Sequence, residues 1–179
     1  ACLDLEGRNA LVVGAGRVAL EKAQGLLETG ACVTVVAPEV DPRFLDLDVT
    51  IERRGYRATD LDDRFLVVAA TGLPDVDATV FANAEARSLL CNVADGPDRC
   101  NFILPAVHRV GPIAVAVSSG GASPALAQRL RDDVAKIVGP EHAELARRLQ
   151  ELRPWAKANL PTYEARRDYF AGLVAKALG

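Results

Sequence analysis

The sequence predicts an α/β fold in its first half, built on a parallel sheet, with a hairpin and helices behind it. Three observations carry that expectation. Short valine-rich runs alternate with helical patterns over residues 9–94. Most of those runs are continuously apolar instead of alternating, the mark of strands covered on both faces. A glycine-rich turn follows the first run and opens the first helix.

Taken in order, "NALVVG" (9–14) is a strand ending in glycine. Residues 17–29 form a helix with Ala19, Ala23, Leu26 and Leu27 on one face and Gly30 as its stop. "ACVTVVA" (31–37) is the second strand. "VTIERR" (49–54) is a third, shorter and more polar, and "RFLVVAAT" (64–71) a fourth. Residues 74–88 make a helix and "SLLCNVA" (88–94) a fifth strand. The pattern then changes. "FILPAVHR" and "PIAVAVSS" flank Val110 and Gly111, which read as a hairpin turn. A helix starts near Ser123 with Leu126, Leu130, Val134, Ile137 and Val138 on a stripe. Gly139 and Pro140 break it. A second helix carries Leu145, Leu149 and Leu152, and a third runs from about Thr162 to Leu178. The expected domains are therefore 1–110, 111–140 and 141–179.

The bulk numbers exclude several classes. The chain has 179 residues, half of them apolar, enough for a sizeable core without staples. A net charge of -3 argues against a nucleic-acid binder, which would carry a basic face. No apolar run reaches the roughly 20 residues that span a bilayer, so no membrane role is expected. No signal peptide is recognisable in "ACLDLEGRNA". Cys2, Cys32, Cys91 and Cys100 form no CxxC pair. They read as small buried residues of a reducing cytoplasm. His108 and His142 lie far apart, so no local metal pattern exists, and His108 reads as structural.

"LVVGAGRVALEKA" places Gly14, Gly16 and Ala19 in the GxGxxG/A spacing between a strand and a helix. Gly14 permits the tight turn, Gly16 lets a pyrophosphate approach the backbone, and Ala19 lets the helix pack on the sheet. Amides at the helix start then face the phosphates. The second strand ends in "VVAPEV". Glu39 is the acid available to ribose hydroxyls, and the nearest arginine, Arg43, is further on, which favours NAD over NADP. No tyrosine has lysine four residues on, which disfavours a short-chain dehydrogenase.

Asp95 follows the fifth strand, where α/β ligands bind. It either caps an Asx turn into Gly96 and Pro97 or acts as a general base whose pKa partial burial lifts. "SSGGASP" (118–124) is equally open. Ser123 and Pro124 suit a helix start, and the loop is either simply capped or a site for carboxylates or phosphates.

The series "GAGRVALEKAQGLLETGACVTVVAPE", "VAAT", "CNVAD", "NFILPA" and "IAVAVSSGGASPALAQRLR" resembles the precorrin-2 dehydrogenase family, the dehydrogenase/ferrochelatase module of siroheme synthases, over roughly residues 3 to 150. The resemblance implies a Rossmann domain, a dimerisation region (111–140) and a small helical domain, assembled as a homodimer. It implies NAD-dependent oxidation of the tetrapyrrole precorrin-2 to sirohydrochlorin, with ferrous iron inserted by some members. It implies NAD contacts from Gly14, Gly16, Arg17, Val18, Pro38, Glu39, Ala70 and Thr71. Here Gly72, Leu73 and Pro74 stand where relatives often carry acids, which leaves a polar contact at Thr71 in question. Asp95 matches the family's acid/base, and Asn92, Ser118, Ser119, Gly120, Gly121 and Ser123 the substrate side. The competing expectation is a non-catalytic, dimeric NAD-sensing regulatory domain.

Overall fold

The computed structural model describes residues 3–179, the side chain of Pro97 apart, so Cys2 lies outside the described residues. The chain divides into two compact units, Ala1–Leu104 and Pro105–Gly179.

In the first unit, β1 (Asn9–Val13), β2 (Cys32–Val36), β3 (Val49–Glu52), β4 (Leu66–Ala69) and β5 (Leu90–Val93) form one parallel sheet in the order β3-β2-β1-β4-β5. This is the doubly wound arrangement, and the order reverses between β1 and β4. Each strand sits inside the run read from the sequence and is shorter than it, because pairing stops where the chain turns off the sheet edge. α1 (Arg17–Leu27) and α2 (Pro74–Glu85) cover opposite faces. Ala10, Val12, Val33, Val35, Leu66 and Val68 pack with Ala19, Ala23 and Leu26 of α1. Leu11, Val13, Val67, Ala69, Cys91 and Val93 pack with Val80 and Ala84 of α2. Successive strand residues point to opposite faces, so two covered faces require the unbroken apolar runs seen in the sequence. Only β3, at an edge, alternates half-buried and exposed.

Burial of the cysteines is uneven. Cys91 is fully buried, Cys100 half-buried, but Cys32 is exposed, against expectation. It is the first residue of β2, outside the layer that α1 covers. Burial pushes the Cys91 thiol up to about 12, with Cys100 adding to the rise, so Cys91 stays a neutral packing group.

In the second unit β6 (Ala106–Val110) and β7 (Ile113–Val117) pair antiparallel, leaving Gly111 and Pro112 as the turn, one residue later than read. Gly111 has φ 53, and a Cβ there would lie 2.9 Å from the Ala143 Cβ. A glycine at the first central position suits the hairpin's twist. α3 (Pro124–Ala135) packs on this hairpin, and His108 Nε2 lies 2.8 Å from the Val138 carbonyl oxygen, a structural place for that ring. α3 ends at Ala135, short of the stripe read from the sequence: Leu126 and Leu130 are exposed on it and Ile137 beyond it, while Val134 and Val138 are half-buried. The residue that α3 buries is Ala127. α4 (Pro140–Asn159) and α5 (Tyr163–Leu178) pair, with Trp155 against Tyr169 at 5.5 Å between ring centroids. No helix among the described residues is long and apolar enough to cross a membrane.

Candidate active site

At the carboxyl edge of the sheet, the ends of β1, β4 and β5 enclose a cavity of about 400 Å³. The turn after β1 contributes Gly16, Arg17 and Val18. The segment after β4 contributes Ala70, Thr71, Gly72, Pro74 and Asp77. The segment after β5 contributes Ala94, Asp95, Gly96 and Arg99. Parallel strands deliver all three chain exits to one edge, and the reversal of strand order opens the crevice there.

The two glycines of the first turn are glycine for different reasons. Gly14 has φ 106, and a Cβ on it would run into the backbone of Ala70 and Thr71. It is needed by the fold, since it lets the exits of β1 and β4 lie against each other. Gly16 has φ -87 and nothing within 4 Å of a built Cβ. Neither strain nor crowding demands glycine at that position, so its missing side chain leaves room in the cavity. Gly16 is also the N-cap of α1, where serine, threonine, aspartate or asparagine normally satisfy the first amides. α1 has no side-chain cap and no acid in its first turn. Its free N–H groups, its dipole and the Arg17 guanidinium therefore meet at the cavity mouth, a chemistry that accepts a phosphate. A dinucleotide pyrophosphate fits this cradle.

Thr71 does have a polar partner, and it comes from further along the chain than the sequence suggested. Asp77 Oδ1 accepts from the Thr71 hydroxyl at 2.8 Å and from the Thr71 amide at 3.2 Å. The same hydroxyl accepts from the Leu73 amide at 3.0 Å. Asp77 is 5% exposed, and these bonds offset the cost of burying its carboxylate. The pair fixes the turn that forms the β4 wall. The signal was an acid in the first turn of the helix that begins with Pro74, placed to bond back onto the preceding loop.

Asp95 sits at the cavity rim, exposed, so the partial burial expected of it is absent. β5 ends at the buried Val93, and the turn that follows carries Asp95 out of the covered layer. No side-chain hydrogen bond holds the carboxylate among the described residues, so the Asx-turn alternative is not what the geometry shows. Instead the Gly96 amide donates to the Val93 carbonyl at 3.3 Å, closing a turn with Asp95 at its third position and φ 62. That position favours glycine or asparagine. Gly96, with φ -127, does not need to be glycine for its backbone. The chain thus spends a strained position on a carboxylate that the fold does not use.

Cys100, to which the sequence assigned no role, holds this turn. Its Sγ accepts from the Val93 amide at 3.2 Å and lies 3.3 Å from the Gly96 carbonyl. Asn92 is buried, and its Nδ2 donates to the Phe102 carbonyl at 3.0 Å. Asn101 Oδ1 accepts from the Cys91 amide at 2.7 Å. Residues 100–102 are in this way clipped along the free edge of β5, blunting it as edge strands require. Arg99, on the same clip, lines the cavity and donates to the Pro74 carbonyl at 3.3 Å. Sequence reading passed over Arg99 because nothing in its neighbourhood shows that it folds back toward residues 14–18.

Pro38 and Glu39 are exposed just past β2 and do not line the cavity. In the second unit, the hydroxyls of the serine loop are already engaged. Ser119 Oγ donates to the Ser123 carbonyl at 2.9 Å and accepts from its amide at 3.0 Å. Ser118 Oγ accepts from the Gly120 amide at 3.2 Å, and Ser123 Oγ accepts from the Leu126 amide at 3.2 Å. Gly120 and Gly121 take φ 63 and 86.

Comparison with known proteins bears on this architecture. Residues 1–106 match a family described as putative NAD(P)-binding, and residues 110–137 match one described as sirohaem biosynthesis protein central. Siroheme synthase of Pseudomonas entomophila is 42% identical over 172 residues, which cover 93% of this chain and 37% of that protein. Siroheme synthase 1 of Aeromonas hydrophila is 35% identical over 173 residues, 94% of this chain and 37% of that one. The chain thus spans little more than a third of the curated relatives it matches. Among solved structures, "SirC, precorrin-2 dehydrogenase" superposes with a TM-score of 0.80 at 28% identity, covering 97% of this chain and 88% of its own.

Proposed function

The chain belongs to the putative NAD(P)-binding family, and from that premise we propose that it oxidises precorrin-2 to sirohydrochlorin with NAD. One observation carries the reading. A carboxylate without a structural partner, Asp95, stands at the rim of the cavity into which the uncapped start of α1 opens.

A nicotinamide dinucleotide, when held at this cavity, would supply the two-electron acceptor for the oxidation. The chain's residues do the rest. Amides at the start of α1 and Arg17 hold the pyrophosphate, with Gly14 keeping the turn tight and Val18 and Ala70 flanking it. Pro38 and Glu39 meet the adenosine ribose. Thr71, fixed by Asp77, lines the ring pocket. Asp95 accepts the proton released as the hydride leaves. Arg17 and Arg99 attract the substrate's carboxylates to the mouth. In the second unit, Ser118, Ser119, Gly120, Gly121 and Ser123 are the substrate side of this reading, with the Ser118 and Ser123 hydroxyls, which accept backbone bonds within the loop, still able to donate. The buried Asn92 acts on substrate indirectly, by holding the Asp95 turn. Ferrous iron enters as a second substrate, with Asp95 taking pyrrole protons on its insertion.

Two further parts of the reading rest on particular observations. The exposed Leu126 and Leu130 on α3 support a homodimer, with residues 111–140 as its dimerisation region and 141–179 as the helical domain. Free thiols at Cys32, Cys91 and Cys100 suit the cytoplasm.

The test is to incubate the protein with precorrin-2 and NAD and follow sirohydrochlorin absorbance. No conversion would sink the reading. Asp95→Asn keeps the backbone conformation that the turn requires. It is expected to lower kcat by about 10²–10⁴-fold while nucleotide binding stays unchanged. Full turnover in that variant would remove Asp95 from the chemistry. Adding ferrous iron to sirohydrochlorin, with the spontaneous rate subtracted, tests insertion.

A further inference from the structure

The segment after β2 holds a pair of charges that the proposed oxidation does not use. Asp41 Oδ1 accepts from the Arg43 amide and from Arg43 Nε, each at 3.0 Å, and Oδ2 accepts from Arg43 Nη2 at 2.7 Å. The carboxylate therefore grips one arginine three times, twice through the forked face of the guanidinium. Pro42 between them shortens the loop, and Asp41 caps the short 3-10 turn Pro42–Asp46. The Asp41 amide donates to the Ala15 carbonyl at 3.1 Å, so this clasp is tied directly to the glycine turn between Gly14 and Gly16. The Arg43 hydrogen bonds hold the Asp41 carboxyl at about 2, so it is fully charged at neutral pH.

In doubly wound nucleotide-binding folds, the end of the second strand meets the adenosine ribose. An acid there reads the 2′-hydroxyl, whereas an arginine accommodates a 2′-phosphate. The face of a guanidinium that binds phosphate bidentately is the same face that binds a carboxylate bidentately. Arg43 has that face filled by Asp41.

We propose that the clasp between Asp41 and Arg43 sets cofactor choice, withholding Arg43 from a 2′-phosphate and so favouring NAD over NADP. This rests on the reading of the cavity as a nicotinamide-dinucleotide site. Asp41 is then a specificity-determining residue that acts through Arg43. An asparagine in its place keeps an acceptor for the Arg43 amide but releases the fork.

The test is calorimetric titration of the intact chain with NAD, NADP and ADP-ribose, needing no turnover. Wild type is expected to bind NAD and ADP-ribose well above NADP. Asp41→Asn should raise the NADP-to-NAD affinity ratio by about tenfold, the scale of one charge-assisted pair. Arg43→Gln alone should leave the ratio unchanged, and Asp41→Asn with Arg43→Gln should return it to the wild-type value. A ratio unmoved by Asp41→Asn overturns the proposal. So does a gain that survives removal of Arg43, which would come from lost repulsion or from Arg53 past the end of β3. Wild type that binds none of the three nucleotides would overturn the underlying site as well, and this shows before any variant is compared.

Discussion

α1 and α3 both begin after glycine-rich turns, yet the amides of their first turns meet different partners. At α1 the N-cap is Gly16, with no side-chain cap and no acid in the first turn. At α3, Ser123 caps the Leu126 amide, Ser119 bonds the backbone of Ser123 on both sides, and Ser118 takes the Gly120 amide. In sequence the two segments look alike: small residues, flexible glycines, then a helix. In the structure one start already carries its oxygens, and the other leaves its donors facing a cavity. A helix start is a ligand site to the extent that the chain has withheld its own cap.

Three substitutions sharpen or break that contrast. The largest effect is expected at Gly14. An alanine there combines a left-handed backbone with overlap onto the Ala70 carbonyl, and should cost about 3 kcal/mol or more by denaturant unfolding. A loss below about 1 kcal/mol would show that the exits of β1 and β4 can separate freely. Next comes Gly16→Val. The side chain enters open space, so stability should fall by no more than about 1 kcal/mol, the cost of valine for glycine at an N-cap, while the dissociation constant for NAD rises at least about tenfold, near 1.4 kcal/mol. Unchanged binding would mean that the cradle at α1 is not used. The smallest effect is expected from Ser123→Ala. Loss of one cap should cost about 1 kcal/mol of stability, with NAD affinity untouched. If this variant weakened NAD binding as much as Gly16→Val does, the contrast between the two helix starts would fail.

The two glycines also show how differently a motif can be legible. The spacing of Gly14, Gly16 and Ala19 was visible in the sequence, but not which glycine served the fold and which the ligand. That distinction depends on what lies beside each Cα, and for Gly14 the neighbour is a strand exit more than fifty residues away in the chain. Asp95 is similar. Its place at a strand end was readable, while its exposure, its φ of 62 and its lack of a structural partner were not. The expectation that burial would tune it assumed a covered rim that the turn after β5 does not provide.

Local pattern determined most of the architecture. Unbroken valine-rich runs demand two covered faces, Gly30 and Pro74 punctuate the helices, and a Gly-Pro pair turns the hairpin, all through interactions within a few residues. Tertiary structure alone decided the rest: Cys100 and Asn101 clipping the edge of β5, Arg99 arriving at the cavity, and Asp41 anchored to Ala15 while it grips Arg43. Most of these contacts join groups that local periodicity treats as unrelated. They come together because a parallel sheet brings all of its strand exits to one edge, where side chains from separate loops must satisfy one another or be left for a ligand.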